Sequence, residues 1–231
     1  TSALTSVDGI AAIEARSSRR SPASIGREMA PLRSASGADS GGDAARVGWC
    51  DVSVAEIARK HGHYDDAVAL LERAHATLTR HGDDAGAARA LHLQGTVAAQ
   101  QGKLDDAIGL YGRSREIRER TGDAAGLAAL LSNLGVVANY QGEYEAARDY
   151  HRRSLELRTE LGDLGAISVS YTNLGILAVG QQRYDEAHEL FDESMRLSAA
   201  VGDAWMLAIA HNNLGNALRG LGRLDDARHH Y

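Results

Sequence analysis

The chain has 231 residues, 44% of them hydrophobic, which is enough for a large buried core, and a formal net charge of -6 that argues against a general nucleic-acid or membrane-surface binder. Cys50 is the only cysteine, so an intramolecular disulfide is excluded and a reduced cytoplasmic setting is the default. No apolar run approaches the roughly 20 residues that cross a bilayer.

Residues 1–42 read as an N-terminal segment, partly helical or flexible. Both prolines, Pro22 and Pro31, fall here, together with Ser17-Ser18 and the small, polar stretch from Ser34 to Gly42. Short helices are expected from Val7 to Arg16 and around Ile25 to Leu32, followed by a flexible connection. The chain opens on Thr1 rather than a methionine, so the true start of the gene product is expected to lie upstream. From residue 43 onward there is no proline. Proline costs about 3 kcal/mol inside a helix, and its absence over that length fits nearly continuous helical hairpins.

A Gly-Asp pair recurs every forty residues: Gly42-Asp43, Gly82-Asp83, Gly122-Asp123, Gly162-Asp163 and Gly202-Asp203. A second marker keeps the same step, with Asn133-Leu134-Gly135, Asn173-Leu174-Gly175 and Asn213-Leu214-Gly215, and Leu93-Gln94-Gly95 as an imperfect copy. Such a period means stacked supersecondary units. The array spans 43–231, with units 43–82, 83–122, 123–162 and 163–202 and a partial unit 203–231.

Two helices are expected per unit. In the unit 123–162, Asp123 can cap a first helix whose residues Leu127, Leu130, Leu131, Leu134 and Ala138 recur at three- and four-residue steps and form one buried face. That helix should stop near Gly142, where glycine accepts a left-handed backbone, and a second should run from about Tyr144 to Leu161. The Gly-Asp pair is therefore a helix stop joined to a helix start. The acidic pairs Asp65-Asp66, Asp105-Asp106 and Asp225-Asp226 sit at second-helix starts as partners of the helix dipole.

These residues resemble the tetratricopeptide repeat, a helix-turn-helix unit. The crossing glycines are Gly95, Gly135, Gly175 and Gly215, with Ala55 in a degenerate first unit. The second-helix alanines are Ala67, Ala107, Ala147, Ala187 and Ala227, and the large residues four positions later are Leu71, Tyr111, His151, Phe191 and Tyr231. Turn glycines are Gly62, Gly102, Gly142 and Gly222, with Gln182 in the fourth unit. The forty-residue form is similar to the repeats of Pins-type adaptors, kinesin light chains, Rap regulators, and bacterial STAND and SARP regulators. The resemblance implies an all-α, right-handed superhelical solenoid acting as a scaffold for a protein or peptide. An Ala, Gly, Arg and Asp bias leans toward a bacterial regulator.

In the resembled arrays the first helices line a concave groove. The resemblance places Arg89, His92, Thr96, Asn133, Asn139, Asn173, Asn212, Asn213, Asn216 and Arg219 there. An amide both donates and accepts, so Asn133, Asn173 and Asn213 can pair with an extended peptide backbone; they can equally bridge neighbouring repeats. Asn139, Asn212, Asn216 and Arg219 depart from the repeat and are candidates for specificity. Few cations reach this groove, which argues against a carboxylate clamp. The arginines at 113, 115, 118 and 120 and at 152, 153 and 158 are expected to be solvated partners of the helix C-terminus rather than a phosphate site.

No catalytic constellation, cofactor or metal site is expected; His61 with His63, and His229 with His230, lack further ligands at metal spacing. The chain ends mid-hairpin at Tyr231, which implies a longer protein or end-to-end self-association over exposed Leu214 and Leu224. The alternative function is a sensory domain, in which a small molecule or signalling peptide regulates an attached ATPase or DNA-binding domain.

Overall fold

The computed structural model describes residues 40–231; the short helices expected near Val7 and Ile25 lie outside that range. Among the described residues every element is an α-helix. The chain divides into two compact units, one ending at Thr121 and one spanning Gly122–Tyr231. The first holds α1 (Ser40–Lys60), α2 (Tyr64–Arg80), α3 (Asp84–Gln100) and α4 (Leu104–Thr121). The second holds α5 (Ala124–Tyr140), α6 (Tyr144–Leu161), α7 (Leu164–Gly180), α8 (Tyr184–Val201), α9 (Ala204–Gly220) and α10 (Leu224–Arg228). Odd and even helices pair into hairpins, the all-α repeat architecture the sequence predicts.

The joints work as the residue types require. Gly162 closes α6 at φ +71, and the following Asp163 accepts from the backbone N–H of Ala166 at 3.0 Å, opening α7. Asp83, Asp123 and Asp203 cap α3, α5 and α9 through Gly86, Gly126 and Met206 at 2.8, 2.8 and 3.0 Å. Each such cap contributes about 1 kcal/mol. Gly42-Asp43 is the exception: α1 begins at Ser40, so this copy sits inside a first turn and breaks nothing. With no glycine in the left-handed region there, the aspartate serves as an acidic first-turn residue.

Within each hairpin a small residue of the first helix receives a large side chain sixteen positions later. Gly95 receives Tyr111, Gly135 receives His151, Gly175 receives Phe191 and Gly215 receives Tyr231. A Cβ on Gly95 would stand 2.6 Å from Tyr111 Cε1, so glycine is required by contact. In the first hairpin Ala55 and Leu71, both fully buried, occupy the two positions. The alanines at 67, 107, 147, 187 and 227 are buried in register. Beside them Ser114, Ser154 and Ser194 donate across the hairpin to the carbonyls of Ala88, Ala128 and Ser168 at 2.8, 2.8 and 3.0 Å. Each satisfies a buried hydroxyl, whose unpaired burial costs about 1–3 kcal/mol.

Leu214 is only 2% exposed, packed with Phe191, Leu218 and Ala227, which corrects the expectation that it stands open. Leu224 is 56% exposed.

Candidate functional site

In the first unit the predicted groove residues are engaged with their own neighbours. Arg89 is exposed on α3 and pairs with Glu56 of α1 at 2.9 Å. An exposed pair of this kind contributes no more than about 1 kcal/mol, so it orients the guanidinium more than it stabilises the fold. The half-buried His92 ring meets Tyr111 edge-on with centroids 5.6 Å apart. Thr96 donates its hydroxyl to the His92 carbonyl at 3.0 Å and accepts from the Tyr111 phenol at 3.2 Å. Together they cover the crossing at Gly95.

In the second unit the first helices touch one another in sequence, α5 against α7 and α7 against α9. Register across the first of these contacts is marked by Asn173, whose Nδ2 donates to Ser132 Oγ at 2.9 Å. That bond realises the repeat-bridging role for one amide of the ladder, while the second N–H and the carbonyl of Asn173 have no hydrogen-bond partner among the described residues. Asn133 and Asn213 stand at the same repeat position, both half-buried. Asn139 is half-buried, Asn212 and Arg219 are exposed, and the half-buried Asn216 accepts from the Tyr231 hydroxyl at 3.0 Å. Asn139, Asn212 and Asn213 have no side-chain hydrogen bond among the described residues.

Charge on these helices is segregated. The seventeen residues of α5 and the seventeen of α7 contain no Asp, Glu, Lys or Arg, and α9 carries Arg219 alone. The second helices α6 and α8 carry the charge, eight side chains and six. Arg148 of α6 reaches across to Glu186 at 3.2 Å and to Gln181 at 3.0 Å. The first helices thus form a neutral face of amides, hydroxyls and aliphatic chains.

Two arginines expected in solvent are buried. Arg118 is 5% exposed and Arg158 is 9% exposed. They share one register with Leu78 and Ser198, forty residues apart, a signal available in the sequence that a reading of charge clusters passes over. Arg158 donates to the Ala166 carbonyl at 2.9 Å and to Ser170 Oγ at 2.8 Å, tying α6 to α7; burial lowers its pKa. A guanidinium titrates so far above neutrality that it stays charged there, and such a cation is retained by its hydrogen bonds.

His151 is 3% exposed, its Nδ1 has no hydrogen-bond partner, and burial with the nearby Arg158 charge lowers its pKa to about 4. At neutral pH it is an uncharged ring filling an aromatic slot. His211 and His230 meet Nδ1 to Nδ1 at 2.9 Å with centroids 5.1 Å apart, a head-on geometry in which one ring donates to the other. Among the described residues no three His, Cys, Asp or Glu side chains group to hold a metal ion, and no helix is long and apolar enough to cross a membrane.

Helical hairpins repeating at a constant forty-residue step, with small-on-large crossings and, in the second unit, uncharged first helices, define a helical-repeat interaction protein. The tetratricopeptide repeat model matches residues 48–120, 86–160, 126–200 and 166–231, and the chain belongs to that family. No curated protein matches the sequence. Among solved structures, BtubC (BKLC) from P. vanneervenii is similar at 18% identity over 98% of this chain and 88% of its own, with a TM-score of 0.72. A signal transduction ATPase with numerous domains, carrying a tetratricopeptide repeat sensor, from Pyrococcus horikoshii is similar at 16% identity and a TM-score of 0.71. The similarity covers 79% of this chain and 28% of that one. Aspartyl phosphate phosphatase F from Bacillus subtilis is 17% identical over 81% of this chain and 48% of its own, with a TM-score of 0.59. At these identities the likeness establishes the fold.

Proposed function

We propose that the chain is a protein-interaction scaffold that holds a peptide or partner domain on its first-helix face, without catalysis of its own. The observation that carries this reading is the contact between successive first helices in the second unit, registered by Asn173 on Ser132. Asn133, Asn173 and Asn213 recur at one repeat position on these helices, and Asn139, Asn212 and Asn213 carry amide groups that no described neighbour consumes. Each amide–backbone bond contributes about 0.5–1.5 kcal/mol net, so several in register are needed for useful affinity. Asn216 and Arg219 complete the candidate surface of the second unit, and Arg89, His92 and Thr96 are the candidates on α3 of the first.

The context we propose is a larger bacterial signalling or transcription regulator in the cytoplasm. The similar Pyrococcus protein, described as a signal transduction ATPase with a tetratricopeptide repeat sensor, supports a larger signalling protein as the setting.

The test is capture of a partner from a lysate of the source cell by the full chain, repeated with Asn139, Asn212 and Asn213 changed together to alanine. These three are chosen because their side chains hold nothing else. One dominant partner lost in the variant supports the reading, and undiminished capture refutes the assignment of the face.

A further inference from the structure

The first helices of the second unit present a surface of unusual chemistry, and it constrains what can lie on it. α5 and α7 carry no formal charge and α9 carries only Arg219, although the helices paired with them are densely charged. The first unit differs, since α1 and α3 place Glu56, Arg59 and Arg89 on first helices and join Glu56 to Arg89. On the same helices as the amides stand the half-buried aliphatic chains Val136, Ile176 and Val179, the last two resting on the core around Phe191 and Leu214.

We propose that this face takes an uncharged, extended peptide segment of neutral polar and aliphatic residues; the inference rests on the scaffold reading above and specifies its ligand. Amides pair with a peptide backbone whatever its side chains, and Val136, Ile176 and Val179 offer apolar contact to alternate residues. A Lys, Arg, Asp or Glu buried against α5 or α7 meets no counter-charge on either helix, and the cation that reaches α7, Arg158, is buried and held by Ala166 and Ser170. A charged ligand residue there loses hydration without compensation, so the face selects against charge by leaving it unpaired. One acidic residue is accommodated at the α9 end, opposite Arg219. Binding without ion pairs is also insensitive to screening by salt.

The experiment is selection from a random displayed library of roughly 12-residue peptides, long enough to span three repeats in extended form, on the full chain. Recovered peptides are synthesised and their affinities measured at about 50 and about 500 mM sodium chloride, where the Debye length falls from about 14 to about 4 Å. Affinities are measured again on the Asn139→Ala, Asn212→Ala, Asn213→Ala variant and on exposed Asn212→Ala alone, each with its melting temperature checked against the parent. The expected result is peptides depleted in charged residues, with affinities changing less than about threefold with salt and falling at least about tenfold in the triple variant. Peptides that the variant weakens but that are rich in charge, or that lose about tenfold or more with salt, overturn the neutrality of the ligand while leaving the scaffold reading in place. Peptides indifferent to the variants, or an empty selection, overturn both.

Discussion

The imidazole of His151 lies directly against Gly135: a Cβ on that glycine would stand 2.6 Å from His151 Cε1 and 2.8 Å from Nδ1. A titratable ring thus occupies the slot that Tyr111 and Phe191 fill in the hairpins on either side, and it does so buried and with Nδ1 unbonded.

This makes the second unit acid-sensitive. The folded-state pKa of His151 is depressed to about 4, below its ordinary 6.5, so the unfolded chain binds its proton first. Stability from this group is whole above pH 6.5 and is lost as pH falls toward 4. The loss amounts to about 3 kcal/mol, since each unit of displacement is about 1.4 kcal/mol. Urea titrations at pH 7 and pH 4.5 are expected to show a smaller acid loss in His151→Phe than in the parent. Equal losses in the two proteins would show that His151 does not titrate as buried.

Substituting crossing and non-crossing glycines should have opposite signs. Gly95→Ala drives a methyl into the buried Tyr111 ring and is expected to destabilise by about 1–3 kcal/mol. Gly109→Ala, inside α4 with nothing within 4 Å, is expected to stabilise by about 0.5–1 kcal/mol through helix propensity. Thermal melts of the two variants decide it, and a stabilised Gly95→Ala would refute the contact argument.

Gln182 holds φ +59 at the turn where Gly62, Gly102, Gly142 and Gly222 stand in other hairpins. A left-handed conformation costs a side-chain-bearing residue about 1–2 kcal/mol, partly offset by the greater unfolded freedom of glycine. Gln182→Gly is therefore expected to raise stability by up to about 1 kcal/mol, and Gly142→Gln to lower it by a similar amount. Denaturant midpoints at unchanged slope measure both.

Removing one capping carboxylate tests the Gly-Asp joint. Asp203 accepts from the backbone N–H groups of Trp205 and Met206 at 3.1 and 3.0 Å. Asp203→Ala is expected to cost about 0.5–2 kcal/mol, and Asp203→Asn, which keeps an accepting oxygen, clearly less. Equal losses would place the effect in charge rather than in the cap.

Local chain chemistry explains why the hairpins were legible in the sequence. A glycine that must adopt positive φ and an aspartate that must cap are each read from one or two residues, as at Gly162 and Asp163. The same reading misplaced Gly42-Asp43, because only the upstream turn beginning at Ser40 reveals that the helix already exists there. Burial of Arg118 and Arg158 depended on register, and the forty-residue alignment with Leu78 carried that signal where a count of nearby cations did not. The serines at 114, 154 and 194 repeat at the same step, yet their carbonyl partners become visible only once two helices cross. The candidate face is a proposal named from sequence positions, and only folding shows that amides such as Asn173, on Ser132, and Asn216, on Tyr231, are engaged within the chain.

The central claim, that a partner lies on the first helices, is tested most directly by amide hydrogen exchange of the full chain with and without its bound peptide. Protection concentrated in α5, α7 and α9 is the result expected. Protection confined to the charged outer helices α6 and α8 would contradict it.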